Sequence, residues 1–173
     1  VISATADVRK SATEFHLLGL TRTEHMSKFA DGGVTSFDST SPFRQSFMDD
    51  KDNYYTLNST FVALRVPQPD GNPALKRRIQ AGEVDQQEAV HAERLCLKTL
   101  RAFDAGKASV DRAVAALRSY EIIYDTKGRD RSTAYRRTLE AAPWKSCRCG
   151  ICQDVGIEVM IFRGAERNKR RGF

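Results

Sequence analysis

Three cysteines, Cys147, Cys149 and Cys152, fall within six residues in the run Cys-Arg-Cys-Gly-Ile-Cys. Crowded thiols are open to oxidation and mispairing unless something uses them. The spacing points to structural Zn²⁺, which thiolates bind at about 2.3 Å in a tetrahedron. Gly150 permits a tight turn, so one short loop can supply three corners. A fourth ligand is then required. No Cys or His follows Cys152 before Phe173. Either an earlier residue closes the site or the last ligand lies past Phe173, and the second is the expectation. His91, whose ordinary role would be at the surface or between helices, is the rival fourth ligand. Cys96 sits on an apolar helix face and is expected to be a core thiol. The bland alternative for the cluster is a disulfide, but nothing around it signals secretion.

Asp38 is the second candidate. Val34-Thr-Ser-Phe37 reads as a short strand that delivers Asp38 at its C-terminal end. In α/β folds, reactive groups collect at the carboxyl ends of parallel strands. The competing role is a cap for the turn Asp38-Ser-Thr-Ser-Pro42.

Charge is unevenly placed. The 173 residues carry a net +6, but from Lys127 onward 12 Lys and Arg stand against 5 Asp and Glu, whereas residues 1–126 hold 16 against 17. The cationic surplus therefore surrounds the thiol cluster. It suits a phosphate-facing surface, or equally a solvated basic face. No apolar run approaches the ~18 residues of a membrane span and no signal peptide is visible, so a cytoplasmic location is expected.

The elements that must position these groups follow from hydrophobic period and punctuation. Ala4–Glu14 is expected to be helical. Phe15–Leu20 is a short apolar run suited to a strand buried on both faces. Glu24–Ala30 is a helix stopped by Asp31-Gly-Gly33. With the strand before Asp38 this makes a βαβ unit with parallel strands. The acidic turn Asp50–Asn53 between two aromatic arms predicts a hairpin. Its acidic cluster lacks the Gly and distal Glu of a calcium loop. Phe61–Val66 is a strand ended by Pro67, and a Pro/Gly/Asp linker runs to Pro73. Helices are expected at Leu75–Ala81, at Val84–Phe103 with Val90, Leu95, Leu97 and Leu100 inward, at Val110–Tyr124 with Ile122 inward and Ser109 as cap, and from a Ser132 cap to Ala141. Trp144 is expected over the thiol loop, and Gly156–Phe162 as a buried strand.

Two stretches together resemble the tRNA-guanine transglycosylase superfamily: His16-Leu-Leu-Gly-Leu followed by Gly33-Val-Thr-Ser-Phe-Asp38-Ser39, and Cys147-x-Cys149-x-x-Cys152. The tail Gly156–Gly164 with Arg167-Asn-Lys-Arg-Arg-Gly-Phe173 is similar to the DNA-acting branch, which inserts 7-deazaguanine bases into DNA. The resemblance implies an α/β chain: the C-terminal portion of a TIM (β/α)8 barrel with a helical insertion and a zinc-binding subdomain. Residues 1–66 would be the last βα units with the nucleophile strand and a hairpin, 67–142 a linker and helical insertion, and 143–173 a basic zinc segment.

The implied activity is that of a pentosyltransferase. Asp38 would be the nucleophile at C1′, and the zinc ligands Cys147, Cys149 and Cys152 would be completed by a downstream His. Arg163, Arg167, Lys169, Arg170 and Arg171 would contact nucleic acid, DNA in the first instance. The implied partners are nucleic acid and a 7-deazaguanine base, with a helper ATPase left open. The family's second aspartate and its guanine-reading residues lie on earlier strands. A piece with two barrel strands cannot close a barrel of about 250 residues, so it is expected to be inactive alone. A tRNA-acting transglycosylase and a non-catalytic zinc-bearing nucleic-acid binder are the alternatives.

Overall fold

The computed structural model describes residues 4–5, 8–10, 12–19, 25–40, 53–56 and 59–164. The chain forms two compact units, residues 1–49 and 50–173.

In the first unit, β1 (His16–Leu17) pairs in parallel with β2 (Ser36–Phe37), and α1 (Met26–Asp31) lies between them in sequence. The expected βαβ order is present. Gly32 and Gly33 end α1: their N–H groups donate to Lys28 O and Ala30 O at 3.1 and 2.9 Å. Gly33 takes a positive φ of 76°, which a side chain would resist. The expected helix over 4–14 is not what forms. Among its described residues only Ala4 and Thr5 are helical, and the rest are turns and irregular chain. Thr5 O caps one such turn by accepting from Val8 and Arg9 N–H. The Arg9 side chain donates to Gly33 O at 2.8 Å, so a long-range bond replaces a further helical turn.

In the second unit, β3 (Tyr54–Tyr55) pairs antiparallel with β4 (Thr60–Phe61). The expected turn over residues 50–53 lies, except for Asn53, outside the described residues. The observed hairpin instead runs onward from Tyr54, and Thr56 closes it: its N–H donates to Ser59 O, and its side-chain Oγ1 accepts from Ser59 N–H. Next come β5 (Leu64–Arg65), α2 (Pro73–Gln80), α3 (Gln86–Asp104), α4 (Val110–Tyr124), α5 (Ser132–Ala141), α6 (Pro143–Ser146) and α7 (Gly150–Val155). A 3-10 turn (Gly156–Met160) leads into β6 (Ile161–Phe162), which pairs in parallel with β5. Segment 53–66 thus shares a unit with the helices.

Caps fix the helix starts. The Asn72 side chain accepts from Ala74 and Leu75 N–H, Asp85 from Glu88 N–H, and Ser109 from Arg112 N–H. Ser132 is not the expected cap but the first residue of α5, and the Asp130 carboxylate accepts its N–H at 2.8 Å. The core joins Leu64, Val66, Leu75, Leu100, Leu117, Leu139, Trp144, Ile157 and Met160. Leu95 and Ile122 point outward instead of inward, at 51% and 62% exposed. The buried stripe of α3 runs Ala89-Glu93-Cys96-Leu100 and that of α4 runs Ala113-Leu117-Tyr120-Tyr124, so both residues fall off the helical period. Cys96 is a core thiol as expected, and burial pushes it up to about 12.

Residues 156–160 form a 3-10 turn where a strand was expected. The Asp104 carboxylate, at the end of α3, accepts from Ile157 N–H at 3.0 Å and from Trp144 Nε1 at 2.7 Å. A Cβ on Gly156 would lie 2.5 Å from the same carboxylate, and its φ is +55°. This tertiary anchor outweighs the alternating pattern.

Candidate functional site

In the first unit, Asp38 follows β2 directly. Its N–H donates to Leu17 O at 3.1 Å, extending the parallel ladder by one bond. Its carboxylate accepts Gly19 N–H at 2.7 Å, and the other oxygen lies 3.9 Å from His16 Nε2. The opposite nitrogen, His16 Nδ1, is hydrogen-bonded to Ser36 Oγ at 2.9 Å. Because His16 and Ser36 are register partners on β1 and β2, the pleat puts both on one face. Gly19 meets the carboxylate at φ +66°. The carboxylate is 62% exposed, so it is held by the Gly19 hydrogen bond yet open to a ligand. Reading the sequence alone found Asp38 but missed His16 and Gly19 as its holders. Their spacing to Asp38 carries no local motif and appears only once the strands pair.

In the second unit, the thiols of Cys147, Cys149 and Cys152 all lie within 4.8 Å of one another, and none is in a disulfide. Cys149 is the cap of α7, and its sulfur accepts Cys152 N–H at 3.4 Å. That backbone bond holds its thiol below the usual range. Cys152 is buried and is pushed up to about 11. Gln153 Nε2 donates to Cys147 O at 2.7 Å and ties the two sides of the loop together. Tyr54 OH sits 3.8 Å from Cys152 Sγ, so the hairpin covers the buried thiol. Burial raises the Tyr54 phenol.

The donor set fits zinc. Thiolates at tetrahedral corners stand roughly 3.8 Å apart for a 2.3 Å bond, and the three sulfurs here all lie within 4.8 Å of one another. Among the described residues no other Cys, His, Asp or Glu joins these three. His91 is exposed on α3 and is not part of the group. Trp144 is buried, with its indole N–H fixed by Asp104.

Arg163 requires a correction. It was expected to face phosphate, but its side chain is 7% exposed and paired with the equally buried Glu93 of α3. A second guanidinium nitrogen donates to Val66 O at 2.9 Å. Both contacts are internal, so Arg163 fastens the end of β6 to α3 and to the residue after β5. Arg167, Lys169, Arg170 and Arg171 lie outside the described residues. No helix among the described residues is long and apolar enough to cross a membrane.

No family model matches the chain. A curated DNA-guanine transglycosylase from Salmonella montevideo is 45% identical over 167 residues, covering 95% of this chain and 40% of that protein. The chain thus spans about 40% of the length of the curated transglycosylase it matches. The described residues form a mixed helix and strand architecture with a three-cysteine cluster, which fits a zinc-binding subdomain.

Proposed function

We propose that this chain is part of a pentosyltransferase that exchanges guanine in DNA for a 7-deazaguanine. The similarity of nearly the whole chain to a DNA-guanine transglycosylase carries this reading. The placement of Asp38 supports it: a carboxylate at the carboxyl end of a parallel strand pair, held by Gly19 N–H and beside His16.

The chemistry suits a carboxylate. Departure of a base from C1′ develops oxocarbenium character, which a fixed negative charge stabilises. An Asp38 oxygen bonds to C1′ as the bond to the guanine nitrogen breaks. Guanine takes that electron pair and is neutralised by a proton. The incoming 7-deazaguanine nitrogen then bonds to C1′, the Asp38–C1′ bond breaks, the carboxylate is restored and the incoming base loses its proton. Two inversions give overall retention. Gly19 and His16 act as positioning residues, keeping one carboxylate oxygen bonded while the other faces the sugar.

Cys147, Cys149 and Cys152 would hold the zinc, which as a closed structural ion would brace the loop and keep the thiols ionised. Residues 1–66 are read as the end of a (β/α)8 barrel, 67–142 as its helical insertion and 143–173 as the zinc segment. Arg167, Lys169, Arg170 and Arg171 are the proposed phosphate contacts.

The test is incubation of the full-length enzyme with labelled 7-deazaguanine and either duplex DNA or tRNA. Label should enter DNA, and Asp38→Ala should abolish exchange while leaving DNA affinity nearly intact. Exchange that persists in this variant removes Asp38 as nucleophile. Label in tRNA alone would overturn the choice of DNA.

A further inference from the structure

One face of α3 has no role in the site above. Gln87, His91, Arg94, Lys98 and Arg101 recur at alternating steps of four and three residues and all are exposed. On a helix of 3.6 residues per turn these positions stay within about 40° of one line along the axis. The stripe carries three permanent cations, one imidazole and no carboxylate. Arginines elsewhere in this unit are repeatedly neutralised: Arg118 by Asp130, Arg129 by Asp125 and Arg136 by Asp111. Arg101 also has a partner, Glu158, just past the cysteine loop. For Arg94 and Lys98 no acidic partner exists among the described residues.

Glu93, between His91 and Arg94 in sequence, is the anchor of Arg163. The C-terminal end of the stripe reaches the 3-10 turn after the cysteine loop through the Arg101–Glu158 pair.

We propose that the His91–Arg94–Lys98–Arg101 face of α3 tracks one strand of duplex DNA by its phosphates. The inference rests on the DNA reading above and assigns a partner surface to the helical segment. From His91 to Arg101 the helix rises about 15 Å at 1.5 Å per residue. One DNA strand advances about 3.4 Å per nucleotide, so the stripe matches roughly four phosphates. A backbone contact of this kind sets register and carries no sequence preference.

The test measures binding of the full chain to a short duplex by fluorescence anisotropy across a salt series. Each phosphate contact adds about 0.9 to the log–log salt slope. Arg94→Gln with Lys98→Gln should therefore lower the slope by about 1.8. Both sites are exposed and Gln is a good helix former, so the melting temperature should hold. Lys76→Gln with Lys127→Gln removes the same charge away from α3 and should leave the slope unchanged. An equal fall in both variants would mean a general charge effect and overturn the proposal. An unchanged slope in the α3 variant, with the parent still binding duplex, would overturn the stripe and leave the Asp38 chemistry standing. A parent chain that binds structured RNA but no duplex DNA would overturn the stripe, and with it the choice of DNA.

Discussion

Arg163→Met would strand the Glu93 carboxylate where it is 9% exposed and without its cation. Breaking a buried pair from one side typically costs about 3–5 kcal/mol, because the remaining charge stays desolvated. Val66 O would lose its donor as well, adding about 1 kcal/mol. Replacing both partners, as Glu93→Leu with Arg163→Met, leaves an apolar contact instead of an orphan charge. That double variant should recover most of the loss and fall within about 2 kcal/mol of the parent, since apolar replacements of buried pairs are often near neutral. For a unit of this size each kcal/mol moves the melting temperature by roughly 3–5 °C, so the single variant, about 4–6 kcal/mol less stable, should melt roughly 12–30 °C lower. Urea titrations of the parent, both single variants and the double variant give the coupling energy directly. Arg101→Ala is the surface control: its pair with Glu158 is 59% exposed on the arginine side and should be worth less than about 1 kcal/mol. If Arg163→Met kept parental stability and lost affinity for DNA, the guanidinium would be a phosphate ligand and the buried-clamp reasoning would fail.

Asp125 predicts an acid response. Burial alone would raise its carboxyl, but hydrogen bonds from Arg129, Lys127 N–H and Arg131 outweigh that and bring it to about 2. A folded value below the unfolded ~3.9 means its stabilisation is present above about pH 4 and lost as pH falls through about 2. The stability gap between the parent and Asp125→Asn should therefore shrink across that window, and a gap that is flat from pH 5 to pH 2 would contradict it. Chelation should lower the melting temperature of zinc-loaded protein. Cys152→Ser should reduce bound zinc by elemental analysis; a full zinc complement in that variant would rule out the three-thiol site.

Much of the site was legible because its signals are local. The apolar run before Gly19, the stop at Gly32-Gly33 and the β run before Asp38 sufficed to place a parallel pair, and β1 and β2 have that register. The cysteine spacing is likewise contained in six residues. What escaped depends on partners far away in sequence. Asp104 looks like any acidic residue at a helix end, yet it anchors Trp144 and Ile157, 40 and 53 residues on. Arg163 looks like the first member of a basic run until Glu93 is seen beneath it. Ile157, Val159 and Ile161 alternate as a strand would, and only the Asp104 anchor and the φ of Gly156 turn the first part into a 3-10 turn. Leu95 and Ile122 show that an apolar residue on a helix need not be a core residue.

The pairing of β5 with β6 has a consequence for how the polypeptide is made. Leu64 meets Ile161, and these are 97 positions apart (161 less 64). At a synthesis rate of about 5–20 residues per second, β5 waits roughly 5–20 s on the ribosome for its neighbour. During that interval the backbone edge of Leu64–Arg65 is open to any other strand. The hydroxyls of Tyr120, Tyr124 and Thr138 reach the carbonyls of Pro67, Arg65 and Val62, so the helices made in between can shield this ribbon before its own partner emerges.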